Sequence, residues 1–472
     1  MKNILIILLF LFAFQACTNT SSYESAGEPI LLSEVLNTAS CVFFTEDEES
    51  NPVVSWVEVD SLDNKYFYFA NWISEQQKFS LPKPIPIASN ASIHEEGMPK
   101  IAFKGDGTMI ALYETNVPVE NSRFGLSDLI YITSDDRGES WSSPQPVQDK
   151  ESLVGSRSFA NILRLGDGEV AVSWLDSNPL DPESGRPVKF AKTNGNEGFG
   201  EATVLEPYAC QCCRTAISDD GNGNISVVYR DILPGSVRDI SVSKSSNNGD
   251  TFEDPIPFSN DQWVVEGCPH NGPSVVSKEG TSYVAWYTGS QQNGVFYAEL
   301  DQDNDMSAKR CLDVDGRFVQ LCLLSDGTRV AAFNKNYKQD GSMFSKIIVN
   351  KINDQGIFQK EITQEKSHAS YPVIQELDNE SVLVAWSDDG KVYYTSVNTT
   401  AVSDRAEEPR SLALNVGSEI NVELSSETDP VCGMHIGSKT KVQNTVEHNG
   451  KRLGFCGELC KKQFLEKNKI AI

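Results

Sequence analysis

The chain has 472 residues, with 40 Lys and Arg against 66 Asp and Glu, a formal charge of −26. So acidic a surface repels phosphate backbones and anionic lipid, which excludes nucleic acid as a partner and electrostatic membrane binding as a general mode. The charge is uneven, since residues 429–472 hold eight Lys/Arg and four Asp/Glu, and that break in composition marks a second, small domain.

Met1-Lys2-Asn3 precedes an unbroken apolar run, Ile4 to Phe14. This core is too short to span ~30 Å of hydrocarbon as a permanent helix, so it reads as a signal peptide. Phe14-Gln15-Ala16-Cys17 resembles the lipobox of bacterial lipoproteins. That resemblance implies acylation of Cys17, removal of residues 1–16 and a lipid anchor in the bacterial cell envelope, on the outer membrane or the periplasmic face. Ordinary secretion is the alternative. Residues 18–29 form a polar, Ser/Thr-rich tether, and no later stretch is apolar enough to cross a membrane.

Next comes a repeat. "PVVSW", "TMIALY", "EVAVSW", "NISVVY", "SYVAW", "TRVAAF" and "SVLVAW" each end a strand-like segment on an aromatic: Trp56, Tyr113, Trp174, Tyr229, Trp286, Phe333 and Trp386. The intervals run from 47 to 61 residues, the length of one propeller blade. Ser134-Asp135-Asp136-Arg137-Gly138-Glu139-Ser140-Trp141 matches the Asp-box signature Ser-x-Asp-x-Gly-x-Thr-Trp, and Ser245 to Phe252 keeps its spacing, with worn copies at Thr193 to Phe199 and Asn353 to Phe358. Such boxes stabilise tight turns and say little about chemistry.

On these repeats, residues 30–415 resemble the sialidase/BNR-repeat superfamily. The expected fold is mainly β, a sialidase-like propeller with seven blades favoured over six, the strand-like Ile30 to Val35 closing the ring. The resemblance would also imply three carboxylate-binding arginines, a Tyr/Glu nucleophile pair and an Asp acid/base. Where the family carries Arg-Ile-Pro, this chain has Met98-Pro99-Lys100-Ile101. A lysine is not a bidentate carboxylate fork. Arg157, Arg214, Arg230, Arg238, Arg317 and Tyr287 remain in the chain, but no spacing singles them out. Sialidase activity is therefore not expected, and the fold does not carry it.

Innermost propeller strands line the central channel, so the residues that open them meet around one mouth. That position, 15 to 19 residues ahead of each marker aromatic, holds Cys41, His94, Arg157, Cys210-Gln211-Cys212-Cys213-Arg214, Cys268-Pro269-His270, Arg317 and His368. Thiolate with imidazole suits copper or zinc, so Cys210, Cys212, Cys213, Cys268 and His270 are candidate metal ligands. A disulfide between Cys268 and one of the other three, leaving His270 as a polar lining residue, is the competing reading, and inert thiols a third. Cys311 and Cys322 read as a bridge or as buried apolar residues. The segment Trp263 to Val275, rich in Gly and Pro, is built for a fixed irregular backbone at such a mouth.

After a charged linker at 416–428, Asp429-Pro430-Val431-Cys432-Gly433-Met434 and Phe455-Cys456-Gly457-Glu458-Leu459-Cys460 followed by Phe464 resemble a YHS domain of the TRASH-like metal-binding group. Residues 429–472 should thus be a small α+β module. Cys456 and Cys460 fall one helical turn apart, with Cys432 as a third sulfur, and a module this small commonly needs a metal or a bridge. A Cys456–Cys460 disulfide is the alternative. Leu453 and Gly454 depart from the family's aromatics, and His435 and His448 are not family ligands, though either could complete a tetrahedral shell. The resemblance implies metal handling, copper first and zinc second.

The preferred sequence reading is a non-enzymatic envelope lipoprotein that handles a soft metal, with a metal-trafficking protein of the envelope as partner. Its rival is a surface glycosidase or glycan-binding propeller, and a copper-dependent oxidoreductase is a third reading.

Overall fold

The computed structural model describes residues 27–117, 126–148, 155–178, 185–265, 267–406, 421–426, 428–431, 439–441, 445–448, 450–455 and 458–468. Cys17, Cys432, His435 and Cys456 lie outside them.

Seven antiparallel sheets, five of four strands and two of five, make a seven-bladed propeller. The inner strands are Thr38–Glu46, Lys100–Phe103, Ser158–Arg164, Ala216–Asp219, Ser274–Lys278, Gly316–Leu323 and Ser370–Asp378. Each pairs with a second strand that carries the marker aromatic. All seven aromatics are at most 1% exposed. These second strands are covered on both faces by neighbouring blades, which is why Val170–Leu175 and Ile225–Arg230 read as buried runs with no polar alternation. The outer strands Lys83–Ile85, Gln145–Pro146 and Ile256–Pro257 each place a proline at the sheet edge, where a missing N–H costs nothing and discourages pairing with a second chain.

The ring is closed by its N-terminal end. Ile30 and Leu31 pair with Tyr394 and Tyr393, so the start of the described chain supplies the outer strand of the last blade. The chain then returns to blade 6, where Asp404–Arg405 adds a fifth strand.

Two turns share one hydrogen-bond pattern. Asp136 Oδ1 accepts from Ser134 Oγ (2.8 Å) and Ser140 N (2.9 Å), and Ser134 Oγ accepts from Gly138 N (2.9 Å). In the second, Asn247 Oδ1 accepts from Ser245 Oγ (2.9 Å) and Thr251 N (3.0 Å), with Gly249 N on Ser245 Oγ (3.0 Å). Gly138 (φ +84°) sits against Phe69 of the preceding blade, where a Cβ would come within 2.7 Å of the ring. Trp141 and Phe252 pack between sheets.

Beyond the propeller, Thr445–His448 and Lys451–Gly454 form a hairpin, and helix α1 spans Glu458–Lys467. Phe464 of α1 meets Phe455 (5.3 Å between centroids) and His448 (5.4 Å). Cys460 stands half-buried on α1. Among the described residues no helix is long and apolar enough to cross a membrane.

Candidate functional site

One backbone device recurs at the channel mouth. Fifteen residues ahead of their marker aromatics, Cys41, Phe159, Phe318 and Tyr371 all adopt positive φ (59°, 58°, 53° and 51°), each within a break in the pairing of its inner strand. His270 (φ +47°) repeats the conformation sixteen residues ahead of Trp286. Left-handed backbone at bulky residues is costly and persists only where the surroundings enforce it. Here it brings rings together. Phe318 and Tyr371 stack at 4.0 Å, while His94, Phe159 and His270 meet at 5.8 to 6.4 Å between centroids.

The loop before blade 2 reaches across the mouth. Glu96, fully buried, pairs with Arg214 of blade 4 and accepts from Gly272 N of blade 5 (2.9 Å). Any side chain at Gly272 would collide with Arg214. Glu95 accepts from Cys41 N of blade 1 (3.1 Å) and Ser387 Oγ of blade 7 (2.9 Å). One short loop thus ties four other blades together. Beside it, Glu114 accepts from Phe159 N (2.6 Å). Burial pushes the carboxyls of both Glu95 and Glu114 up to about 7, and burial lowers the Lys100 ammonium to about 8.

Against this frame lie the cysteines. Cys210, Cys212 and Cys213 are buried, with their sulfurs all within 4.8 Å of one another. Cys212 and Cys268 are joined in a disulfide linking the entry loops of blades 4 and 5 (Cα–Cα 6.1 Å). The sulfurs of that pair and a ring nitrogen of His270 also fall within 4.8 Å of one another. Cys210 and Cys213 keep their thiols, 3.7 Å apart. The hydrogen bond from Cys213 lowers the Cys210 thiol, helped by the Arg238 and Arg230 charges, while burial raises that of Cys213. Burial lowers both His94 and His270, favouring the neutral imidazole that can ligate a metal. His94 Nδ1 already accepts from Glu96 N (3.1 Å), which leaves its Nε2 as the N–H tautomer, a donor rather than a ligand.

The structure therefore gathers Cys210, Cys212, Cys213, Cys268 and His270 at one place. Of the rest of that sequence level, His94 stands beside His270 and Arg214 pairs with Glu96 next to the cluster, whereas Cys41, Arg157, Arg317 and His368 are engaged elsewhere. Cys41 is buried among apolar side chains, where burial pushes its thiol up. Arg157 is held by Asp128 (3.2 Å), Arg317 lies over the Tyr287 ring (4.1 Å), and His368 is exposed, beside Asp389 (3.0 Å). Cys311 and Cys322 are separate thiols and form no bridge. Sequence reasoning missed Glu95, Glu96, Glu114 and Tyr371. The fifteen-residue offset from the marker aromatic would have found Tyr371, whereas nothing local marks the three glutamates.

No sialidase constellation forms from the candidates. Lys100 is buried in its strand, donating to Met98 O (3.2 Å). Arg230 donates to the carbonyls of Arg238 (2.7 Å), Asn271 (3.1 Å) and Tyr287 (2.7 Å). Tyr287 Oη donates to the Asn293 amide (2.9 Å), a group that cannot act as its base.

No protein-family model matches this sequence, and no curated protein matches it. Among solved structures, an ulvan lyase of a polysaccharide lyase family superposes with a TM-score of 0.50 at 12% identity, over 79% of this chain and 94% of its own. The NanB sialidase of Streptococcus pneumoniae gives a TM-score of 0.47 at 9% identity, over 79% of this chain and 71% of its own. A Dyadobacter fermentans protein of unknown function gives 0.49 at 12%, over 79% and 99%. At such identities the likeness is one of fold: this chain shares the architecture of the ulvan lyase, and the likeness carries no function with it.

Proposed function

We propose that the chain captures a soft transition metal, copper or zinc, at the Cys/His cluster of the propeller mouth, with a second site on Cys432, Cys456 and Cys460. Two thiolates on one tetrahedral ion, each about 2.3 Å from it, lie roughly 3.7 to 3.8 Å apart. The observation that carries the reading is the Cys210–Cys213 separation of 3.7 Å, with Cys212 beside both and shared with the His270 group. Neutral imidazole and soft sulfur are the donors such ions prefer. In the envelope, such a protein would hand its metal to, or guard it from, a partner of the same compartment.

The test is protection. In the reduced full chain, zinc should shield Cys210, Cys212, Cys213 and Cys268 from alkylation, read by mass spectrometry of the peptides. Equal alkylation with and without zinc would contradict the reading.

A second reading, action on an acidic saccharide, has the fold likeness to the ulvan lyase behind it, together with two neutral imidazoles 5.8 Å apart near a carboxylate–arginine pair. Incubation with ulvan and with a fluorogenic sialoside separates the two. Unsaturated uronate ends from the first would favour the lyase reading, and no sialoside hydrolysis is expected.

A further inference from the structure

We propose that the Cys212–Cys268 disulfide is a redox gate on the propeller metal site, opened by a dithiol reductant. This rests on the metal reading above. Cys212 is the hub of the cluster, the one sulfur near Cys210, Cys213, Cys268 and His270 alike. In the bridged form neither Cys212 nor Cys268 can supply a thiolate, and the thiolate is the metal ligand. Oxidised protein thus presents two thiols that share no charged hub. Reduced protein presents four thiols and an imidazole, more than a tetrahedral ion needs.

The two ends of the bridge differ in access. Cys212 is 5% exposed, whereas Cys268 is half-buried, in a loop open to solvent. An incoming thiolate therefore attacks Cys268 Sγ, the S–S bond breaks, and Cys212 leaves as a thiolate inside the cluster. The second thiol of the reductant then attacks its own sulfur in the mixed disulfide, closing a cyclic disulfide and freeing Cys268 as a thiolate. Two electrons pass from the dithiol to the protein, and its two protons go to the new thiolates or to water.

The loops that carry these sulfurs are held without the bridge. Cys210 N donates to Arg230 O (2.9 Å), Arg230 Nη2 donates to Asn271 O (3.1 Å), and Gly272 N is fixed on Glu96 (2.9 Å). Arg186 Nη1 further pins Gln211 O (3.1 Å). Reduction accordingly leaves the ligands facing one another, able to part by the ångström or two that an ion requires.

The experiment is zinc titration of the full chain carrying Cys456→Ser, which silences the tail site, before and after dithiothreitol treatment and removal of the reductant. Oxidised protein should bind no zinc at the propeller and reduced protein one equivalent. Cys268→Ser, which frees the hub permanently, should bind zinc without reduction, and Cys212→Ser, with or without reductant, should bind at least about tenfold more weakly than the reduced wild type, with thermal melts showing that both are folded. Equal zinc binding by oxidised and reduced protein would overturn the gate and leave the metal reading standing. Absence of zinc from every form would overturn the metal reading itself.

Discussion

Glu114 shows how the mouth stores unfavourable burial. Its carboxyl is pushed up to about 7 chiefly by desolvation, so between its ordinary value and about 7 the folded chain holds a proton that the unfolded chain has lost. The native state then binds more protons, and stability falls as pH rises through that window. Glu114→Gln keeps an acceptor for Phe159 N and removes this part of the decline. Denaturant melts at pH 5 and pH 7 should differ less in the variant than in the wild type, and an unchanged difference would contradict the assignment. Glu95, also near 7, retains its own share of the slope. At this scale the sequence was informative about residue type and silent about partners. Cysteines and His270 stood out by their clustering, but Glu96 meets Arg214 across 118 positions, a separation at which no local pattern is visible. Nor could the chain order choose among Cys210, Cys212 and Cys213 for the bridge, since all three fall within four residues.

The blades were legible because each strand answers to its neighbours through one repeated requirement, an aromatic buried between sheets. Full burial of such a side chain contributes about 1.5–3 kcal/mol, enough to keep the aromatic position recognisable where the turns have diverged. The mouth loops obey no such repeat, and their positive-φ residues are Cys, Phe, His and Tyr rather than the glycine that would have announced the conformation. Closure of the ring is an element-scale matter. The segment from Gly27 to Leu32 holds the last blade through Gly27 N to Ser396 O (3.0 Å), Leu32 N to Val392 O (2.9 Å) and the Ile30–Tyr394 and Leu31–Tyr393 pairs. With each hydrogen bond contributing about 1 kcal/mol net, deleting residues 27–32 should cost a few kcal/mol. Calorimetry should register a clear drop in Tm, and an unchanged melt would show that the ring is closed by other means.

For the whole molecule, two expectations concern the ends of the chain. Cys17→Ser should move the protein from the membrane to the soluble fraction while the propeller melts normally, and continued membrane retention would refute the lipid anchor. Cys456→Ser should remove the tail metal and loosen residues 429–472 without lowering the propeller Tm, because binding and folding are coupled in so small a module. Hydrogen exchange resolved by segment reads both effects, and unaltered protection of the tail would count against a structural ion there. The central claim is that the propeller mouth itself holds metal. Its most direct test is elemental analysis of the full chain, purified reduced and without chelator, beside its Cys212→Ser variant, which lacks the sulfur shared by both donor groups. The account predicts two equivalents of copper or zinc in the wild type and one in the variant, the tail remaining loaded. Metal confined to the tail in both proteins, with Cys210, Cys212, Cys213 and Cys268 free to react with thiol reagents, would contradict it.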